Sequence, residues 1–344
     1  NPSQVTLALS AYLGARMTGD GRYMLLAGRV LDYLKAHDLP LYAQLGLEEE
    51  VNLPAEQPGV GSCLIFAGSG TPVRQSPLAP DKIVFRDGWQ PGDRYLSLNL
   101  RFTGWHRYKA TNSIISIYEE EPLIIERTES APTSWLPVGR SQFRDKRIPR
   151  ENLNGLVISR QGLSRLIFWM TGFGSPWAQD PPYYAEVESF QTGAEMDSSV
   201  TRMEWNDWTQ VRSIYFVHDG PTVVVDDVIG PKNQPGGVVW HGVLPEDSQA
   251  ALEQAAENRF RIGTSGNAEI VVLSFGEDRV SHKIDADGSQ PGIDIDCTDT
   301  RGEIKLATLF LSGRWLGASI AKSEGVLLIQ IPGETVTVPL SPDF

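Results

Sequence analysis

Two spacings of apolar residues divide the chain. Near the N-terminus Val5, Leu7, Leu9, Tyr12, Leu13 and Met17 are apolar on more than one side of a helix, and Leu25, Leu26, Val30, Leu31, Tyr33 and Leu34 then recur at about 3.6 residues. This pattern predicts one helix ending near Thr18, a second over 22–37 and a shorter one within 39–47. The run Thr18-Gly19-Asp20-Gly21 supplies the turn between the first two. Residues 51–80 are rich in Gly and Pro and admit one short strand at 62–66, so a domain border is expected there.

From Lys82 the period shortens to about two. Strands are predicted at 82–86, 95–102, 113–118, 121–125, 155–159, 164–170, 184–191, 196–205, 209–218, 222–230, 237–243, 259–263, 270–275, 304–311, 315–323 and 325–331. Turns such as His218-Asp219-Gly220-Pro221 separate them, and residues 244–258 are expected to hold a brief helix. Many short strands in succession point to a mostly β protein, a large antiparallel β-sandwich rather than a parallel sheet. The expected division is a helical segment over 1–60 and a sandwich over 80–344.

A length of 344 residues accommodates both parts. The net charge of −13 works against nucleic acid and anionic membrane as partners, and no apolar run approaches the roughly 20 residues of a bilayer-crossing helix. Cys63 and Cys297 are too few for a disulfide scaffold and lack metal-ligand spacing; one long-range bridge and two separate thiols both remain open. The chain begins at Asn1 without Met or a signal-peptide pattern, as expected of a mature, trimmed or fragmentary product. Phosphate-loop, nucleophile-elbow and Cys-x-x-Cys motifs are absent.

Residues 86–126 carry the most specific pattern. They read Arg86-Asp87-Gly88-Trp89-Gln90-Pro91-Gly92-Asp93-Arg94-Tyr95-Leu96, then Trp105-His106-Arg107-Tyr108-Lys109-Ala110-Thr111-Asn112-Ser113, then Leu123-Ile124-Ile125-Glu126. Later come Asn154-Gly155-Leu156-Val157-Ile158, Arg212-Ser213-Ile214-Tyr215-Phe216 leading to Val223-Val224-Val225-Asp226, and Trp240-His241. In order and spacing this series resembles the sheet domain of the heparinase II/III-like polysaccharide lyases.

The resemblance implies an α/α toroid followed by an antiparallel sandwich, with residues 1–60 as the closing helices of the toroid. It further implies cleavage of a uronic-acid polysaccharide by β-elimination in the periplasm or outside the cell. That reaction needs a base, an acid for the leaving oxygen and a group that neutralises the carboxylate. By position His106 matches the catalytic histidine of the family's sheet domain, and Tyr108 is its neighbour for proton transfer. Arg86, Arg107 and Arg140 offer bidentate grips for carboxylate or sulfate, and Trp105 and His241 complete the expected substrate contacts. The implied partners are an acidic polysaccharide together with a toroid region beyond these residues, or a second copy of the chain.

Zinc-holding relatives use positions that fall here on Tyr108, Glu126 and Leu153, with Ala110 where the turn has an aspartate. Only Glu126 is a good zinc ligand, so no metal cofactor is expected. This loss, and the few helices, keep a second expectation in view: a non-catalytic carbohydrate-binding or structural extracellular protein with the same fold.

Three features have plainer readings. The cluster Arg140, Arg144, Lys146, Arg147 and Arg150 reads as an anion contact or a solvated loop. The acidic stretch with Asp285, Asp287, Asp294, Asp296 and Asp299 hints at calcium but lacks the spacing of a calcium loop, and reads as a turn. Trp169, Trp177, Trp205, Trp208, Tyr183 and Tyr184 suit either sugar stacking or a sandwich core.

Overall fold

The computed structural model describes residues 2–45, 54–56, 61–65, 80–90, 92–101, 111–119, 121–124, 154–158, 184–205, 207–232, 236–243, 253–256, 258–262, 267–275, 279–285, 292–299 and 302–340. They fall into two compact units, Asn1–Gly61 and Ser62–Phe344. The first is helical: α1 (Pro2–Thr18), α2 (Gly21–His37) and α3 (Leu39–Gln44). Gly19 turns the chain with a φ of 70°, and the Asp20 carboxylate accepts the Arg22 amide to cap α2. The helices bury small residues, Ala8, Ala11, Ala15 and Ala27, with Leu34. Larger apolar side chains point outward: Leu13 is 55% and Met17 76% exposed.

The second unit is all antiparallel β among its described strands. A five-stranded sheet runs in the order β1 (Cys63–Ile65), β2 (Lys82–Arg86), β3 (Tyr95–Asn99), β4 (Ser113–Glu119) and β5 (Glu121–Ile124). An eight-stranded sheet contains β7 (Glu186–Gln191), β8 (Met196–Trp205), β9 (Trp208–Val217), β10 (Thr222–Ile229), β12 (Glu253–Ala256), β13 (Arg259–Ile262), β14 (Ala268–Ser274) and β17 (Glu303–Ser312). Its order is β12-β13-β14-β17-β10-β9-β8-β7. Four strands, β6 (Asn154–Ile158), β11 (Gly236–Val243), β15 (Arg279–Asp285) and β16 (Gly292–Asp299), form a third sheet in the order β15-β16-β11-β6. The last sheet is β18 (Ser319–Ser323), β19 (Val326–Ile331) and β20 (Glu334–Pro339).

The eight-stranded sheet is covered on both faces. On one, Val224, Val228, Leu306 and Phe310 meet Phe85, Leu96, Leu98 and Ile117 of the five-stranded sheet. On the other, Val223, Val225, Ala307 and Leu309 meet Trp315, Leu327, Ile329 and Val338 around the three-stranded sheet. Double burial explains why Thr222–Val225 are all buried instead of alternating. It adds a layer to the expected sandwich.

Two sequence expectations are corrected. The stretch 244–258 was expected to contain a helix, but Glu253–Ala256 form an edge strand, paired through a register shift with β13. The acidic residues lie in part on strands: Asp285 ends β15, and Asp294, Asp296 and Asp299 lie on β16, while Asp287 is outside the described residues. Sheet pairing there outweighs the turn preference of Asp. The expected strand at 164–170 lies outside the described residues.

Candidate functional site

Most of the predicted site residues, Trp105, His106, Arg107, Tyr108 and Arg140, lie outside the described residues, as do Ala110, Glu126 and Leu153. His241 is on β11, in register with Asp294 of β16. The structure does describe the residues that receive the chain after the 105–110 segment. Asn112 has a left-handed backbone, with φ of 57°, and is fully buried at the entrance to β4.

Beneath Asn112 lies a row of polar side chains across the inner face of the eight-stranded sheet. Thr201 pairs with Arg212, and Arg212 with Asp226, on adjacent strands. All three are at 0% exposure. Arg212 binds Asp226 bidentately, Nε to Oδ1 at 2.8 Å and Nη2 to Oδ2 at 3.0 Å. Gln210 Nε2 donates to the same carboxylate at 2.7 Å. The remaining arm, Arg212 Nη1, donates to the Asn112 carbonyl at 2.7 Å, while Thr201 Oγ1 donates to the Asn112 side-chain oxygen at 2.7 Å. A buried ion pair adds little net stability once desolvation is counted, so its effect is to fix geometry. Here it fixes the backbone where the His106 segment enters the sheet.

Arg86 is the one predicted anion grip whose side chain is described. Its guanidinium lies 4.0 Å from the Trp89 ring centroid and 5.6 Å from that of Tyr95. Tyr95 stacks in turn on Tyr118, centroids 5.6 Å apart. Cross-strand register makes this a row, Arg86 opposite Tyr95 and Tyr95 opposite Tyr118. The row occupies the half-buried side of the five-stranded sheet, away from Phe85, Leu96 and Ile117. Trp205 and Trp208 are core residues and are not available to sugar. Cys63 is a free thiol, pushed up in pKa by burial.

A second polar cluster was not foreseen. His218 Nδ1 is 2.6 Å from Asp87 and its Nε2 is 3.3 Å from Asp197. Asp197 also accepts the Ser62 hydroxyl and, at 3.0 Å, the Gly193 amide. Arg94 joins Asp87 to Glu119 at 3.2 and 3.1 Å. Burial of the His218 ring opposes its charge, but the hydrogen bond to Asp87 and the charges of Asp197 and Asp87 outweigh it and push the pKa up. Burial likewise pushes Glu119 up, against the opposing charge of Arg94. His218 and Asp87 are 131 positions apart and follow strands of different sheets, so the packing of one sheet on the other brings them together.

Among the described residues no group of three or more His, Cys, Asp and Glu is placed to hold a metal, and no helix is long and apolar enough to cross a membrane.

No family model matches the sequence, and neither does any curated protein. Solved structures do. Heparan sulfate lyase HepC from Pedobacter heparinus, in a mutant form, superposes with a TM-score of 0.58 at 14% identity, over 93% of this chain and 48% of that one. The fold is heparinase-like. A heparinase III structure matches at TM-score 0.53 and 15% identity, over 76% of this chain and 41% of that one. Another heparinase III gives 0.57 at 11% identity, again over 93% of this chain. This chain therefore spans about half the length of the heparinases it resembles.

Proposed function

We propose that this protein belongs to a polysaccharide lyase acting on a uronic-acid polymer by β-elimination, and that it supplies the sheet side of the reaction. Support comes from the heparinase-like fold together with one local observation: a fully buried Arg212–Asp226 pair is directed at the Asn112 carbonyl, where the His106 segment joins β4. His106 takes or returns the proton next to the uronate carboxylate, with Tyr108 as its partner in proton transfer. Arg86, Arg107 and Arg140 hold carboxylate or sulfate, with Trp105 and His241 as further sugar contacts. No step draws on a metal held by Tyr108, Glu126 and Leu153, given the donors they offer. A periplasmic or secreted setting suits such a substrate.

Elimination leaves an unsaturated uronate, whose double bond conjugated to the carboxylate absorbs in the short-wavelength ultraviolet. The chain is incubated with alginate, heparan sulfate and hyaluronan, and absorbance is followed. A product from one polymer, lowered about 10²–10⁴-fold by His106→Ala, is the expected result. Affinity for a polymer without product, unaffected by His106→Ala, would replace this reading with that of a carbohydrate-binding protein of the same fold.

A further inference from the structure

His218 closes the turn between β9 and β10 with a carboxylate at each ring nitrogen. Only the imidazolium has two N–H groups, so only the charged ring donates to both. A neutral ring turns a lone pair toward one carboxylate. We propose that His218 is a pH-operated latch: charged, it ties the β2–β3 turn at Asp87 to β8 at Asp197; neutral, it holds only one of them, and this end of the sandwich loosens.

The surroundings suit a latch that opens without unfolding the protein. Asp87 keeps Arg94 when His218 lets go, and Asp197 keeps Ser62 and the Gly193 amide. Among the described residues, the other groups around the ring have partners of their own. Arg94 also binds Glu119 of β4, the Thr222 hydroxyl and the Val217 carbonyl. Glu195 meets His218 through its main-chain carbonyl, which accepts the His218 amide. Phe216 presents its ring edge-on. His218 and Asp87 are 25% and 18% exposed, so protons reach the pair, whereas Asp197 is 4% exposed and depends on its partners.

The sign follows from linkage. A histidine raised in the folded state stabilises fully below its ordinary value of 6.5 and loses that contribution as pH climbs through the raised value. Glu119, also raised, acts in the same sense but from its ordinary 4.5 upward, so comparison of variants at the same pH removes it.

The test uses the full chain, His218→Gln and Asp87→Asn. Thermal midpoints are recorded from about pH 5.5 to about pH 9, and the His218 ring is titrated by NMR. The wild-type chain should melt at least about 2 °C above His218→Gln near pH 6, with the gap closing by about pH 9. Its ring should titrate above 6.5, and Asp87→Asn should bring that value down. Should His218→Gln fail to fold, the ring titrations of the wild type and Asp87→Asn decide alone. A gap that does not change with pH, or a ring titrating at or below 6.5, overturns the latch.

Discussion

Taking a guanidinium and a carboxylate out of water costs several kcal/mol per ion, and Arg212 and Asp226 recover it only through close, multiple hydrogen bonds. Removing one partner strands the other at 0% exposure. Asp226→Asn should therefore lower the unfolding free energy by about 3–5 kcal/mol, read from urea denaturation. An apolar pair, Arg212→Met with Asp226→Leu, should recover much of that stability while leaving the Asn112 carbonyl without its Nη1 donor. Asn112 adds a finer comparison. At φ of 57° glycine is unstrained, whereas alanine carries a left-handed penalty of about 1–2 kcal/mol. Both lose the bond from Thr201, so Asn112→Ala should be less stable than Asn112→Gly by about that amount. Equal stabilities would mean that the backbone relaxes here and that the clasp does not fix it.

Between elements, close approach is set by glycine. A Cβ on Gly230, just past β10, would lie 2.2 Å from the Trp208 ring, and one on Gly302, leading into β17, 2.2 Å from the Gly230 carbonyl oxygen. Trp208 is fully buried and has nowhere to move. Gly230→Ala should thus cost about 1–3 kcal/mol as an overpacking change, measured by thermal or urea unfolding, while Ala at an open glycine such as Gly28 should be neutral or better. The same scale shows what the sequence made legible. The apolar pattern and the Gly19-Asp20 turn placed α1 and α2, because helix bonds are local. Alternation placed β2, β8, β9 and β19, each with one buried side. Strands were also expected at β10 and β17, where both sides are covered, whereas β15 and β16, whose Asp residues mimic a turn, were overlooked. His218, Asp87 and Asp197 went unrecognised together because Asp87 follows β2 of the five-stranded sheet while His218 and Asp197 belong to the eight-stranded one, and only the packing of the two sheets, which no local pattern encodes, joins them.

At the scale of the whole chain, stability is unevenly divided. Every residue of the two hydrophobic clusters lies after Ser62, and together they enclose the eight-stranded sheet from both sides. The helices, by contrast, bury mainly alanine and leave Leu7, Leu9, Leu13 and Met17 exposed, so little apolar area is withdrawn from water there. Each cluster residue of Leu or Ile size contributes about 1.5–3 kcal/mol on burial, which is ample for a β unit of this size to order itself. Residues 62–344 expressed alone should therefore keep the β circular-dichroism signal and unfold in a single cooperative step, with a midpoint within a few degrees of the full chain's main transition. The shortened protein should also associate less at high concentration in light scattering, because the exposed leucines of α1 are gone. A truncated unit that is molten, or one whose association is unchanged, would mean that the helices contribute to the order of the sheets and that their apolar side chains are not the adhesive surface.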